Sequence, residues 1–375
     1  MKNWKLYAMI IMAGAAFTAC DDDEEITRPG GTIAIRNESS GVLILNNGNA
    51  GSQIDGDFSV IEYFSNDCAT GLFESANERT LGATPNRAIV YGSKIYAAVT
   101  GSNTIEIASR SDLKSVKQIQ LAGNEEIDKP RDVIGKGAYV YVSLYSGHVA
   151  RIDTATLSID KTVAVGAYPE DMTIAGDYLY VPNSEYGTGT TVSQISLATF
   201  TKTKDITVPV NPVQTVSDAR GNVYVRTSGW YDAEDGYKQK GAAVYKLDLN
   251  GGEPVKVADA TLISLPEGSN VLYAVNYPYG ANEITYFKVN LAAEDGAYTP
   301  VPLSISADAP AAIGVDPVNG NIVLTSYELD KGYASYSTPG YANMYTNDGT
   351  FIKKFDVGVG PCNVSFFTGK KTVIL

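Results

Sequence analysis

The chain has 375 residues, 44% of them hydrophobic, and it carries a formal net charge of −13. That length fits one large all-β domain or two domains of average size, and the hydrophobic share is ordinary for a globular protein. The negative charge and the lack of a basic patch argue against nucleic acid as a partner.

Residues 1–19 have the pattern of a secretory signal peptide. Lys2 and Lys5 precede an apolar stretch from Leu6 to Phe17, and small residues follow before Cys20. This stretch is too short and wrongly flanked for a transmembrane helix. Its end resembles the bacterial lipobox, which implies that Cys20 is acylated and becomes the first residue of the mature protein. A plain signal peptide with a chance cysteine is the alternative.

Residues 20–31 are predicted to form an acidic, flexible tether. Five acids run from Asp21 to Glu25. They resemble the export tag that sends some lipoproteins to the outer face of the outer membrane; a solvated acidic spacer is the alternative. The folded domain is expected over residues 32–375. We therefore expect a lipid-anchored protein of the outer membrane that faces the cell exterior.

One hairpin recurs along the domain: a strand, a tight turn and a second strand that is usually centred on tyrosine. Its six copies span residues 88–99, 132–144, 172–183, 215–227, 263–276 and 313–326. An x-Pro step marks the start of most units, at Pro85, Pro130, Pro169, Pro212, Pro310 and Pro361, and Thr261 stands where one proline is missing. Two further strands complete each unit. Four strands per unit of about 40 to 50 residues is the period of a β-propeller blade.

The segments left over at the two ends of the domain predict a seventh blade. Six full units run from about residue 83 to about residue 359, with strand-like segments before and after them. Pairing of strands from both ends would close the ring and remove open edges. The sequence thus predicts an all-β, seven-bladed β-propeller of four-stranded blades. Residues 371–375 are one strand more than the seventh blade needs.

The loops of the predicted blades differ between the two faces of the ring. Strands A to D run outward from the central channel, so the B-to-C and D-to-A loops emerge on one face. The B-to-C loops are rich in aromatic residues, whereas the turns of the opposite face are short. These aromatic residues are Tyr145, Tyr186, Trp230, Tyr231, Tyr237, Tyr277, Tyr279, Tyr327, Tyr333, Tyr336 and Tyr341. We expect a binding surface there, because Tyr and Trp give large, rigid contact area at small entropic cost.

The D-to-A loops add polar side chains near the channel mouth. These residues flank the repeated prolines, which preset φ and so orient the neighbouring side chains; the alternative is that they only begin strand A. The candidate ligand-binding residues from both sets of loops are Asn86, Arg87, Arg131, Asp132, Tyr145, Glu170, Asp171, Tyr186, Trp230, Tyr231, Tyr277, Tyr279 and Tyr327.

Two sets of residues are predicted to be structural. The tyrosines of strand B recur at one place in the blade, which predicts packing between blades; they are Tyr96, Tyr141, Tyr180, Tyr224 and Tyr273. Cys68 and Cys362 are expected near opposite faces, a strand length of roughly 20 Å apart. They should stay unpaired, because a disulfide needs Cα atoms closer than about 7 Å.

No catalytic or metal site is predicted. The only histidine, His148, begins a strand C, so a His-rich metal site is excluded and a Ser-His-Asp triad would depend on it alone. Glu170 and Asp171 are adjacent, and neighbouring residues on a strand point to opposite sides, which weakens them as an acid–base pair. A binding protein fits better than an enzyme, and the residues indicate a large, partly aromatic or polycyclic ligand.

The x-Pro starts, the tyrosine-centred strands and the lipoprotein leader resemble the YncE-like or surface-layer-like seven-bladed propellers. Within that group, the stretch "GVLILNNGNAGS" at 41–52 and the acidic leader resemble the cobalamin-capturing surface lipoproteins known as BtuG. The resemblance implies that the protein captures cobalamin on the loop-rich face and passes it to a TonB-dependent outer-membrane transporter. From the residues alone, a glycan or another large polycyclic ligand stays an alternative.

Overall fold

The computed structural model describes residues 24–28, 31–121, 123, 125–293 and 297–374. Within these ranges the strands assemble into seven antiparallel sheets of four strands, one of which gains a fifth strand. The predicted seven-bladed β-propeller is therefore confirmed. The predicted signal peptide and Cys20 lie outside the described residues.

The strands follow one another along the chain in blade order. The N-terminal part holds β1 (Glu24–Arg28), β2 (Gly31–Asn46), β3 (Asp57–Glu62), β4 (Asp67–Ala69) and helix α1 (Leu72–Asn77). Blade 1 consists of β5 (Pro85–Tyr91), β6 (Lys94–Val99), β7 (Thr104–Ser109) and β8 (Ser115–Gln120). Blade 2 consists of β9 (Pro130–Lys136), β10 (Tyr139–Leu144), β11 (His148–Asp153) and β12 (Ser158–Ala164). Blade 3 consists of β13 (Thr173–Ala175), β14 (Tyr178–Asn183), β15 (Thr191–Ser196) and β16 (Thr201–Thr207).

Blades 4 and 6 carry small extra hairpins inside their B-to-C loops. Blade 4 holds β17 (Pro212–Ser217), β18 (Val223–Thr227), the hairpin β19 (Trp230–Asp232) and β20 (Lys238–Lys240), then β21 (Ala243–Lys246) and β22 (Val255–Asp259). Blade 5 holds β23 (Leu262–Ser264), β24 (Val271–Asn276), β25 (Thr285–Asn290) and β26 (Pro300–Pro302). Blade 6 holds β27 (Ala309–Val315), β28 (Ile322–Tyr327), the pair β29 (Leu329–Asp330) and β30 (Tyr333–Ala334), then β31 (Pro339–Tyr345) and β32 (Phe351–Val359). The last strand is β33 (Pro361–Ile374).

Blade 7 closes the ring with strands from both ends of the chain. β33 is its strand A, and it pairs antiparallel with β2, the strand B, from Asn46 opposite Pro361 onward. β3 and β4 follow outward as strands C and D. The predicted closure is thus confirmed. Because β33 pairs with the inner edge of β2, that edge is not left open.

β2 and β33 continue past the body of blade 7 as a paired ribbon, and β1 adds a third strand to it, with Glu24 opposite Ile35. Residues 371–374, which the sequence left unplaced, extend β33 in this ribbon. Glu24–Arg28, expected in a flexible tether, form β1 instead, because the free edge of β2 supplies hydrogen-bonding partners for their backbone.

The two faces of the ring are named here by their connections. The loop face carries the B-to-C and D-to-A loops, and the plain face carries the A-to-B and C-to-D turns. Strand β2 enters its blade from the plain face and reaches the loop face at Asn46. The ribbon of β1, β2 and β33 therefore leaves blade 7 on the side of the plain face.

The strand-B tyrosines pack between blades, as predicted. Tyr96, Tyr141, Tyr180, Tyr224 and Tyr273 are all buried, with at most 7% of their surface exposed. Tyr96 shares a core cluster with Val140 of blade 2, and Tyr224 shares one with Leu272 of blade 5. Each ring thus fills the gap between two twisted sheets, where a large flat side chain buries the most apolar area.

Strand A is the innermost strand of each blade, and hydrogen bonds join neighbouring A strands around the channel. The Ala88 amide donates to Asn363 Oδ1 at 3.0 Å across blades 1 and 7. The Met172 amide donates to Asp132 Oδ2 at 2.7 Å across blades 3 and 2. Side chains at the start of the A strands therefore converge on the channel mouth of the loop face.

Both cysteines of the described residues are free thiols, as predicted. Cys68 lies in β4 and Cys362 in β33. Burial raises the pKa of each thiol to about 12, so at neutral pH both stay protonated and weakly nucleophilic.

Within the residues that the structure describes, every helix is too short or too polar to cross a bilayer.

Candidate ligand-binding site

Exposed aromatic side chains collect on the loop face. Twelve aromatic side chains are exposed in the described residues, and nine of them lie in loops of this face: Tyr168, Tyr186, Trp230, Tyr231, Tyr237, Tyr277, Tyr279, Tyr333 and Tyr336. The other three, Phe64, Tyr178 and Phe351, lie at turns of the plain face. Grouped apolar surface in contact with water marks binding sites. The aromatic side chains therefore distinguish the loop face from its opposite.

Charged side chains pair with one another at the channel mouth. The Arg87 guanidinium lies 3.4 Å from Asp132 Oδ1 and 3.7 Å from Asp171 Oδ2. Arg131 Nε donates to Glu170 Oε2 at 2.6 Å. Three blades contribute to this cluster, and Arg87, Arg131 and Asp171 each keep between 24% and 34% of their side-chain surface exposed. A ligand on the loop face can therefore reach them.

Burial and the neighbouring charges shift the pKa values of these groups. Desolvation raises the pKa of Asp132, the charge of Asp171 raises it further, and Arg87 opposes both. Desolvation also raises the pKa of Glu170, against the pull of Arg131. For Arg131, desolvation lowers the pKa, but the nearby carboxylates outweigh it and the net shift is upward. Arg131 therefore stays charged, while Asp132 holds its proton to higher pH than an ordinary aspartate.

A row of three tyrosines leads from the rim of the loop face to this cluster. The rings of Tyr186 and Tyr168 are 5.3 Å apart, and those of Tyr168 and Tyr145 are 5.2 Å apart. The Arg131 guanidinium lies 5.9 Å from the Tyr145 ring. The row borders a cleft of about 900 Å³ between blades 1, 2 and 3, lined by Thr100, Gly101, Gly123, Glu125, Asp128, Lys129, Tyr145, Ser146, Tyr168 and Tyr186. This volume is within the range of small-molecule sites.

A strained backbone turn recurs before the repeated prolines. The preceding residue has a left-handed φ in five blades: Thr84 (50°), Lys129 (54°), Tyr168 (48°), Asn211 (62°) and Gly360 (69°). Left-handed backbone costs an L-residue roughly 1–2 kcal/mol, and a residue before proline is normally extended.

Hydrogen bonds between the two sets of loops hold several of these strained turns. The carbonyl of Lys129 accepts from the Tyr145 amide at 3.0 Å, that of Tyr168 from the Ser184 amide at 3.1 Å, and that of Asn211 from the Ser228 amide at 2.8 Å. Each bond ties a D-to-A loop to the B-to-C loop of the next blade along the chain. The strain is therefore part of a rigid loop face, as expected where a site is preorganised.

The longest loop of blade 4 is an ordered hairpin. Gly229 begins it with φ of 62°, and β19 and β20 then pair from Trp230 opposite Lys240. Lys238 and Lys240 both bind Asp235, at 2.8 and 2.7 Å. Trp230 and Tyr231 remain 53% and 56% exposed. The extra length of the loop thus builds a platform that holds two large aromatic side chains in water.

This hairpin contacts the neighbouring B-to-C loop of blade 5. The Gln239 amide donates to the Tyr279 carbonyl at 2.9 Å, and the Tyr279 amide donates to Gln239 Oε1 at 3.2 Å. The rings of Tyr231 and Tyr279 meet edge to face with centroids 6.1 Å apart. Aromatic side chains from two blades therefore form one surface.

Blade 6 has an aromatic pair of its own on the loop face, and one hydrogen bond joins it to blade 7. The rings of Tyr327 and Tyr336 are 4.8 Å apart, and Asn49 Nδ2 donates to the Tyr336 carbonyl at 2.8 Å. Tyr341 is a correction to the predicted aromatic loop: it lies in β31, is 3% exposed, and donates its hydroxyl to Asp308 Oδ2 at 2.8 Å. It faces the core because β31 begins two residues earlier, at Pro339.

The candidate residues fall into separate groups on the loop face. The charged candidates and the Tyr145–Tyr186 row meet at blades 1 to 3, whereas the aromatic residues of blades 4 and 5 form the second group and Tyr327 belongs to blade 6. Asn86 has a structural contact: its amide donates to Thr100 Oγ1, which in turn donates to the Pro130 carbonyl.

Three residues near the candidates were not selected from the sequence. Tyr168 bridges the tyrosine row, Ser184 Oγ donates to Glu170 Oε1 at 3.1 Å, and Arg226 Nε donates to Gln214 Oε1 at 3.1 Å. Tyr168 directly precedes a repeated proline, which was an available signal. Arg226 lies inside a strand, where the sequence pattern gave no reason to single it out.

The structure offers no clustered metal ligands in the part of the chain it describes: no group of three or more His, Cys, Asp or Glu side chains is placed to hold an ion. His148 begins β11, as predicted, and its Nδ1 lies 3.2 Å from the Ser146 carbonyl.

Comparison with solved structures shows the fold of this chain. It is similar to hydrazine synthase of Kuenenia stuttgartiensis (TM-score 0.55, 14% identity, 78% of this chain and 95% of that one). It is similar to a 6-phosphogluconolactonase-like protein of Bacteroides uniformis, with a TM-score of 0.60 and 14% identity over 88% of this chain and 100% of that one. It is also similar to the dihydro-heme d1 dehydrogenase NirN, with a TM-score of 0.52 and 10% identity over 87% of this chain and 74% of that one. No protein-family model and no curated protein matches the chain. At these identities the likeness establishes a β-propeller fold and nothing narrower.

Proposed function

We propose that the protein captures a large amphipathic ligand, cobalamin, on its loop face. The observation that carries the proposal is the placement of nine exposed aromatic side chains and a reachable charged cluster on one face of a rigid ring. Aromatic side chains with polar handles suit a ligand that is apolar in the middle and polar at its rim.

Cobalamin has this chemistry. Its corrin has flat apolar faces and a rim of amides, and the molecule carries one phosphodiester. Trp230, Tyr231 and the tyrosine row would cover apolar area, and buried area at about 25 cal/mol per Å² makes tight capture feasible. The choice of cobalamin over other polycyclic ligands comes from the sequence resemblance to the BtuG lipoproteins.

Gel filtration tests the proposal directly. The purified protein is mixed with cyanocobalamin, and visible absorbance is followed across the elution. Co-elution of the colour with the protein supports the proposal, whereas free elution of all cobalamin at micromolar concentrations rejects it. We propose binding without catalysis, although some proteins of similar fold are named as enzymes. An unchanged absorption spectrum of the recovered cobalamin would support this role.

A surface glycan-binding protein is the second candidate, because exposed Tyr and Trp side chains also stack on sugars. The same protein is run in affinity gels containing glycans. Retardation by a glycan together with no co-elution of cobalamin would favour this candidate.

We propose that the protein is anchored at the outer membrane through Cys20, faces the exterior, and delivers its ligand to a TonB-dependent transporter. The placement of the ribbon supports this arrangement: β1 begins on the side of the plain face. A lipid anchor preceding β1 would leave the loop face directed away from its own attachment point. The ligand would then enter from the exterior side.

A further inference from the structure

Arg226 is a channel-mouth cation that forms no ion pair with a carboxylate among the described residues. It is the second-last residue of β18, directly below the B-to-C hairpin of blade 4. Its Nε donates to Gln214 Oε1 at 3.1 Å, and within the described residues its two terminal nitrogens make no hydrogen bond and no ion pair. Two donor groups of one guanidinium are therefore available on this side of the channel.

The other arginines of the channel mouth are different. Arg87 pairs with Asp132 and Asp171, and Arg131 pairs with Glu170. Removing a cation from water costs free energy unless an anion or hydrogen bonds replace the lost hydration. Arg226 has a single, neutral hydrogen-bond partner to offset this cost. The fold alone therefore does not account for its position.

The carboxylates around Arg226 each pair with another arginine, whereas the terminal nitrogens of Arg226 pair with none. Glu170 accepts from Arg131, Ser184 and Tyr145. Asp132 accepts from the Met172 amide. Desolvation lowers the pKa of Arg226, the charges of Asp171 and Glu170 oppose this, and Arg131 adds to it. What Arg226 lacks is a negatively charged partner of its own.

We propose that Arg226 binds an oxyanion, a phosphate or a carboxylate, at the channel mouth of the loop face. The planar guanidinium offers parallel N–H groups that match two oxygens of such a group. Gln214 orients the guanidinium through Nε. The oxyanion is either a free ion or a group of the larger molecule that binds on this face; in the second case the assignment rests on the function proposed above.

Binding of simple anions tests the site without the larger ligand. Inorganic phosphate and acetate are titrated into the purified protein by calorimetry at constant ionic strength. Arg226→Met should weaken phosphate binding at least tenfold. Arg226→Lys should weaken it less, because lysine keeps the positive charge and loses only the parallel N–H groups. Arg36→Met is the matched control: it removes one exposed guanidinium from the ribbon and should leave phosphate binding unchanged.

Corrinoids separate the two sources of the oxyanion. If the ligand supplies it, Arg226→Met should weaken binding of cyanocobalamin much more than binding of cobinamide, a corrinoid without the phosphodiester. If phosphate binds through Arg226 but no corrinoid binds, the site stands and the proposed function fails. Phosphate binding that Arg226→Met and Arg226→Lys both leave unchanged, or no saturable binding of either simple anion, overturns the proposal. Thermal melts of each variant confirm that it is folded.

Discussion

At the scale of single residues, aromatic side chains have two roles in this protein that differ in burial and in location. Tyr224 is fully buried between blades 4 and 5, and its hydroxyl donates to Asp218 Oδ2 at 3.0 Å. Trp230, only six residues along the chain, is half exposed on the loop face. Loss of the first should therefore affect folding, and loss of the second should affect binding.

Trp230→Ala and Tyr224→Ala form a matched test of these two roles. Trp230→Ala should weaken cobalamin binding by about 1–4 kcal/mol, chiefly through faster dissociation, with little change in melting temperature. Tyr224→Ala should lower the free energy of unfolding by about 3–5 kcal/mol because it leaves a cavity and removes one hydrogen bond to the buried Asp218 carboxylate. Calorimetry and thermal melts measure both. Normal binding by the Trp230 variant would show that the hairpin has a structural role instead.

The raised pKa of Asp132 predicts a pH-dependent contribution to stability. Its causes are desolvation first and the charge of Asp171 second, with Arg87 in opposition. The folded protein thus holds this proton to higher pH than the unfolded chain does. The stabilisation from this group is present in full below about pH 4, the unfolded pKa, and is lost as pH rises through the folded pKa.

Asp132→Asn keeps an acceptor for the Met172 amide and removes the titration. The stability of the unaltered protein relative to this variant should therefore decline between about pH 4 and neutrality. Urea unfolding at several pH values measures it. A stability difference between the two proteins that stays constant over that range would contradict the assignment.

The sequence predicted residues whose environment follows from their place in a repeat. The strand-B tyrosines recur at one position of the blade, so their burial could be read from the spacing. Tyr168 was missed because its role depends on a left-handed backbone, which no residue-type preference of tyrosine predicts. Tyr341 was placed in a loop because the end of the β29–β30 insertion is set by tertiary pairing with β28 and β32.

At the scale of elements, the β19–β20 hairpin depends on glycine at one position and merely tolerates it at another. Gly229 has φ of 62°, and a Cβ there would lie 1.8 Å from the Lys240 carbonyl oxygen. Gly236 has φ of 64°, but a Cβ there would meet no atom within 4 Å. Both positions penalise an L-residue for its backbone conformation; only the first also produces a steric clash.

Gly229→Ala should therefore disrupt the hairpin and reduce ligand binding about as much as Trp230→Ala does. Gly236→Ala, the control in the same hairpin, should reduce binding much less. Neither change touches the core of blade 4, so the main thermal transition should stay within a few degrees. Equal binding by the two glycine variants would show that the hairpin conformation does not position the ligand.

The number and order of elements were predictable, whereas their extensions were not. Turn signals and alternation mark each strand of a blade, so six blades and the two-ended seventh followed from the sequence. The ribbon was missed because the pairing of β1 with β2 satisfies backbone groups, which every residue type carries and which leave no mark in the residue pattern.

At the scale of the whole molecule, stability depends on closure of the ring by β33. Truncation after Thr368 removes only the ribbon part of β33 and should leave a folded propeller with nearly unchanged melting temperature. Truncation after Gly360 removes the whole strand, exposes the inner edge of β2 and should give an unfolded or aggregating protein. Thermal melts and gel filtration distinguish the two. A monomeric, cooperative fold after the second truncation would contradict the closure.

The proposed membrane attachment is also tested at the scale of the whole molecule. Cys20→Ala should release the protein from the membrane fraction, and replacement of residues 21–25 by alanine should leave it anchored but facing the periplasm. Fractionation and protease treatment of intact cells measure the two effects. Surface accessibility that survives the alanine replacement would reject the export-tag interpretation.

The pairing of β2 with β33 also sets an order of events during synthesis. The chain is made from its N-terminus at roughly 5 to 20 residues per second, so β2 exists for tens of seconds before its partner strand is made. Until then no stretch of the chain can form the closed ring, however much of it has emerged. Such a delay would favour the export as an extended chain that the proposed location requires, because the last strand to cross the membrane would be the one that completes the fold.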